Sequence, residues 1–109
     1  MQNEISFEYE GTQYTLTFTR KTIKELNQRG FTPAMAIDTP AFGVPMLVRG
    51  AFLAKNRWTK PEKIDEIYEH ITNRKEFVSK LLEMYAAPIN EMLDDPEDDE
   101  KNVEWEANF

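Results

Sequence analysis

His70 is the only histidine in the chain, and Glu66 stands four residues before it. That spacing places both side chains on one face of a helix, where they can share a metal ion between them. Two ligands do not make a site, and no third is supplied by spacing, so the plainer reading is an exposed helix histidine beside a carboxylate. Glu62, Asp65, Glu66 and Glu69 mark an acidic helix face. Lys60 and Lys63 are interspersed with them, as on a solvated surface rather than in a tuned general-acid pair. The absence of cysteine removes disulfides, thiolate metal sites and thiol nucleophiles. Four glycines at 11, 30, 43 and 50 are too scattered for a phosphate-cradling loop. No catalytic, metal-ligating or cofactor-binding residue is therefore expected, and the chain reads as a non-enzyme.

Two other groupings can bind rather than react. Lys55, Arg57, Trp58, Lys60 and Lys63 form a basic patch around an aromatic ring, a combination suited to single-stranded nucleic acid. The chain's formal net charge is −7, the wrong sign for holding phosphates. The preferred ligand for the patch is instead the chain's own acidic arm, or that of a neighbouring copy, and no nucleic-acid partner is expected. That arm, residues 94–109, holds eight acids and one base, while residues 1–93 balance twelve of each. It carries spaced apolar residues, Val103, Trp105 and Phe109. An acidic segment with an aromatic tip is suited either to reach a partner or to fold its Trp back on its own body, because a Trp in water gains from burial.

The elements that position these groups follow from periodicity. Ile5, Phe7 and Tyr9 alternate with polar residues, as do Tyr14, Leu16 and Phe18 after a Gly-containing turn, so a β-hairpin is predicted. A hairpin alone is marginal in water, so its apolar face must rest on helices. A first helix runs to about Arg29, capped by Thr19 or Thr22, with Thr22 and Glu25 at capping-box spacing; Gly30 stops it and Phe31 clasps it. Residues 32–40 read as a loop with Met35 and Ile37 turned inward. A second helix, from Phe42 or Pro45 to Asn56, is apolar nearly all round, as a central or interfacial helix would be. Gly50 and Ala54 offer it a strip for close approach of a neighbouring backbone. Thr59–Glu62 caps a third helix reaching Thr72, with Ile64, Ile67, Tyr68 and Ile71 as its stripe. A fourth restarts at Asn73, and Pro88 should break it near Ala86, leaving Ile89, Met92 and Leu93 in a last short turn.

The predicted architecture is α+β, an N-terminal antiparallel hairpin on a bundle of about four helices. One globular domain, 1–93, precedes the acidic tail, 94–109. No signal peptide or membrane span is expected, since the longest apolar-leaning run, Ala41 to Ala54, falls short of the ~20 residues a span needs.

The order of segments resembles the small tail assembly chaperones of long-tailed bacteriophages and prophages of Gram-positive bacteria. The stretches that carry the resemblance are Ile5–Gly11 with Tyr14–Lys21, then Arg49–Ala54, Ile64–Tyr68, Leu81–Tyr85, and the acidic run ending on Asn102-Val-Glu-Trp105. The resemblance implies a non-catalytic protein of the bacterial cytoplasm, absent from the finished virion. Such a protein coats the long helical tape measure protein and hands it to tail tube subunits. It also implies a second, longer product made by ribosomal slippage, for which Lys101-Asn102 is the candidate position. Phe42, Met46 and Phe52 on the second helix, with Val103, Trp105 and Phe109, are the expected partner contacts, and a ring or helical array of copies suits an elongated client. The competing reading is a small acidic phage inhibitor that mimics DNA on a host enzyme. That role needs carboxylates spread over a folded face, whereas here the excess lies in one tail.

Overall fold

The computed structural model describes residues 3–108. Strand β1 (Ile5–Tyr9) pairs antiparallel with β2 (Thr12–Leu16), with Ile5 opposite Leu16 and Phe7 opposite Tyr14. The reversal is a two-residue turn, Glu10 and Gly11, both at positive φ (49° and 81°). Such a turn matches the right-handed twist of the strands, so β2 begins at Thr12, two residues earlier than the alternation alone indicates. Phe18 lies beyond β2 but is still buried. The hairpin's outer edge does not face water unprotected. Thr15 N–H donates to the Asn56 side-chain oxygen at 2.9 Å and Thr17 N–H to the Ala51 carbonyl at 3.1 Å. The acceptors lie in the helix Pro40–Phe52 (Ala51) and in the loop that follows it (Asn56), so the sheet edge is held by the bundle.

Helix α1 (Arg20–Gln28) is capped by Thr19 through a box whose partner is Thr22, the third residue of the helix. The Thr22 hydroxyl accepts from Thr19 N–H at 2.9 Å, and Thr22 N–H donates to the Thr19 hydroxyl at 3.2 Å. The Thr22–Glu25 box expected from spacing does not form, because Thr22 is already inside the helix and Glu25 pairs with Arg57. At the other end, Gly30 at φ 91° lets Phe31 N–H return to the Leu26 carbonyl and Gly30 N–H to that of Asn27. This double closure buries Phe31 against the helix it terminates.

The segment read as a loop contains a short helix, α2 (Met35–Asp38). Ala36 is its buried residue, and Ile37 points outward rather than inward. Helix α3 (Pro40–Phe52) starts earlier and ends earlier than expected, with Pro40 in its first turn. It is the hub of the bundle: Leu47, Val48, Ala51 and Phe52 are all buried. The backbone that approaches it closely meets Gly43, not the Gly50–Ala54 strip. A Cβ at Gly43 would lie 2.2 Å from the Met35 carbonyl carbon and oxygen, whereas at Gly50 it would meet the Leu26 side chain.

Helix α4 (Pro61–Glu69) begins with Pro61 after Lys60, without a side-chain cap from Thr59. Helix α5 (Arg74–Leu93) runs through Pro88 to Leu93 instead of breaking near Ala86. Proline removes the bond its N–H would make to the Met84 carbonyl, a loss confined to one turn. Packing holds the helix up to that turn, where Leu81, Met84 and Tyr85 are in the core, whereas Ile89 and Met92 beyond it are exposed.

The core joins β2, α1, α3, α4 and α5. Phe18 and Phe31 meet the Tyr85 ring edge-on at centroid distances of 5.3 and 5.4 Å, and the Tyr85 hydroxyl donates to Asn27 at 3.0 Å. Residues 94–108 contain no helix or strand and contribute nothing to this core. Among the described residues no helix is long and apolar enough to cross a membrane.

Candidate protein-interaction surface

The residues with chemistry in them are engaged in holding the fold. Tyr9 donates to the Glu66 carboxylate at 2.7 Å, and Lys63 bridges Glu66 (3.1 Å) and Glu10. Glu66 therefore ties the hairpin to α4. The Tyr9 hydroxyl, hydrogen-bonded to Glu66 and beside its charge, is pushed up to about 12. The same bond, then the Lys63 ammonium, hold the Glu66 carboxyl below its ordinary range. His70 faces the Glu66 backbone carbonyl at 3.0 Å, not the carboxylate, and its ring lies 5.7 Å from that of Tyr9. Among the described residues no three His, Cys, Asp or Glu side chains are grouped to hold a metal ion.

The basic patch is also largely engaged. Lys55 pairs with Glu4 at 2.6 Å, Arg57 grips Glu25 with two bonds of 2.8 and 3.2 Å, and Lys63 holds its two carboxylates. The Arg57 guanidinium lowers the Glu25 carboxyl below its usual range. Three of the patch's four cations thus neutralise acids of the body itself. Trp58 remains 92% exposed in their midst. Among the described residues no hydrogen bond or ion pair joins 94–108 to this patch. The arm's own bonds are local: Asp99 accepts from Lys101 N–H and Asn102 N–H, and the Asn102 amide reaches the Glu97 carbonyl.

The expected contact residues divide. Phe42, in the first turn of α3, is 70% exposed, and Met46 one turn on is half-buried. Phe52 is only 2% exposed, set edge-on against Tyr14 at 5.8 Å, so it is a core residue and not a contact. A helix apolar all round does not reveal which stripe meets its own domain, and here the Phe52 stripe meets the hairpin. Val103 and Trp105 are exposed, Trp105 at 81%. Phe109 lies outside the described residues.

Sequence reasoning missed an apolar surface along α5. Helix α5 carries Ile89, Met92 and Leu93 outward past Pro88. A groove of about 280 Å³ separates α5 from the α2 corner, walled by Pro33, Ala34, Ile37, Leu82 and Ile89. A second groove, about 450 Å³, lies between α5 and α1, walled by Ile23, Pro88, Ile89 and Met92 and edged by Arg20 and Lys24. Ile89 is the ridge common to both. The signal in the sequence was Ile89-Met92-Leu93 at helical spacing, hidden by the expectation that Pro88 ends the helix. Ile37 is 73% exposed. Large apolar side chains gathered at grooves rather than scattered singly mark an interaction surface.

The whole chain, residues 1–109, matches the domain of unknown function DUF5055, and the chain belongs to that family. No curated protein and no solved structure matches it.

Proposed function

We propose that this member of DUF5055 is a tail assembly chaperone of a long-tailed bacteriophage or prophage, acting by protein–protein contact without catalysis. Its client is the tape measure protein, a long helical chain, and its onward partners are tail tube subunits. The observation that carries the reading is the pair of exposed apolar residues Ile37 and Ile89 at the α2–α5 groove, which Leu82 also lines, with Phe42 exposed at the start of α3. An amphipathic client helix lays its apolar face into such a groove, anchored by residues one turn apart. The likeness of segment order to tail chaperones selects this client class.

The acidic arm suits the same role. Eight carboxylates per copy keep a crowded coat soluble through mutual repulsion. The work takes place in the cytoplasm of the producing cell, and the protein leaves before the tail is finished.

The test is an affinity pull-down of tagged protein from cells producing the phage, read by mass spectrometry. The expected result is recovery of the tape measure or tube protein, lost with Ile37→Asp plus Phe42→Asp while circular dichroism stays unchanged. Recovery of a host nuclease or polymerase, with no tail protein, would overturn the proposal in favour of an acidic inhibitor.

A further inference from the structure

We propose that the α1–α5 groove is the docking site for the acidic tail of a second copy of this chain. The groove has two unlike walls. Ile23, Pro88, Ile89 and Met92 make its floor and α5 side apolar, while Arg20 and Lys24 edge it from α1. Those two cations are four residues apart and so lie on one face of α1. Neither makes an ion pair among the described residues, in contrast to Arg49, Lys55, Arg57 and Lys63. Two of the body's unpaired cations therefore stand beside an uncovered apolar wall.

The tail has the complementary two-sidedness. In an extended chain successive side chains face opposite ways, so Val103 and Trp105 share one side and Glu104 and Glu106 the other. A strand laid along the groove sets Val103 and Trp105 on Ile89 and Met92, and the two carboxylates toward Arg20 and Lys24. The spacing agrees. Residues two apart in a strand are about 7 Å apart, and cations four apart on a helix rise by about 6 Å.

The occupant is another copy's tail because the tail leads away from its own body. The backbone leaves α5 in extended conformation at Asp94 (φ −73°, ψ 144°). Residues 94–108 make no hydrogen bond or ion pair to their own body among the described residues, and the molecule spans 55 Å along its longest axis against 30 and 24 Å. Trp105 lies eleven residues beyond Asp94, a reach of up to about 36 Å when extended. Each copy thus offers one tail and one groove, a head-to-tail contact that propagates into a ring or an open array. This inference stands on the groove and the tail, and not on the identity of any client.

The chain has two tryptophans, so Trp58→Phe leaves Trp105 as the sole reporter. In that background, Trp105 fluorescence should shift to shorter wavelength as concentration rises, in step with an increase in sedimentation-velocity mass. About 0.5 M salt should weaken both at least about tenfold, since the edge contacts are exposed charges. A complementation experiment separates the alternatives. One full-length variant carries Arg20→Glu and Lys24→Glu, with an intact tail and a spoiled groove. The other carries Trp105→Ala, with an intact groove and no anchor. Each alone should remain monomeric, and mixing them should restore the blue shift and a dimer mass. A blue shift at monomer mass means that the tail docks on its own body, and overturns the proposal. Failure of the mixture to associate, or a red-shifted Trp105 at every concentration, overturns it equally.

Discussion

A methyl group at Gly43 should destabilise this fold, although Ala is the better helix former. A Cβ there would lie 2.2 Å from the Met35 carbonyl carbon and oxygen and 2.4 Å from Ala36 N. Carbon atoms sit comfortably at about 3.5–4.0 Å, so α2 must retreat by more than an ångström. It cannot do so freely. The Met35 carbonyl accepts from Thr39 N–H at 3.0 Å, and Thr39 in turn accepts from Gly43 N–H at 2.9 Å, which locks the α2–α3 corner. Inserting a methyl against packed backbone costs about 1–3 kcal/mol. The helix preference for Ala returns about 0.5–1 kcal/mol. The expected net loss for Gly43→Ala is about 1–2 kcal/mol, or roughly 4–15 °C in melting temperature for a domain of this size. Gly50→Ala is the control. There the nearest atoms are the terminal methyls of Leu26, at 2.5 and 2.8 Å, which can turn aside, so its loss should be smaller. Urea unfolding followed by circular dichroism measures both. A Gly43→Ala protein as stable as the wild type, or more so, would refute the close approach of α2. Because α2 presents Ile37 and α3 presents Phe42, the same variant should also lose affinity for a client.

Two further expectations concern the ties that hold the surface in place. Tyr9→Phe removes the bond to Glu66, and its cost should depend on pH. Glu66 titrates lower in the folded protein, so its contribution is present above the ordinary Glu range and disappears as pH falls through the depressed value. Tyr9 titrates higher, at about 12, so its contribution is full below about pH 10 and is lost as pH rises through 12. Melting temperatures of wild type and variant should differ near neutrality and converge in acid; a gap that widens in acid would contradict the sign. Tyr85→Phe should cost about 1 kcal/mol, the value of a hydrogen bond to Asn27. Tyr85→Ala should cost about 3–5 kcal/mol in the same urea assay, because Phe18 and Phe31 pack on the ring.

Most of the hairpin and of α1, α4 and α5 was legible because their signals are local. Alternation at Ile5–Tyr9, the Gly30–Phe31 stop and the Ile64–Ile67 stripe each act within a few residues. Helix α2 was not legible, since four residues between prolines carry no full period and form by packing on Gly43. Pro88 misled because a proline's local cost is readable from sequence, while the tertiary packing that offsets it is not. The fate of the basic patch was hidden for a related reason. Glu4 and Glu10 stand 51 and 53 residues from their partners Lys55 and Lys63, and Glu25 stands 32 from Arg57. Phe42 and Trp105, two of the expected partner contacts, are exposed, whereas the burial of Phe52 depends on where the hairpin lands. Ile89 and Met92 became a surface only once α5 continued past its proline.

The most direct measurement is the soluble fraction of the tape measure protein co-expressed with this chain, with its Ile37→Asp plus Phe42→Asp variant, or with neither. The chaperone reading expects the client to be soluble and co-purifying with the wild-type chain, and insoluble with the variant or alone. A client equally soluble or equally insoluble in all three cultures, with the chain itself folded, would contradict it.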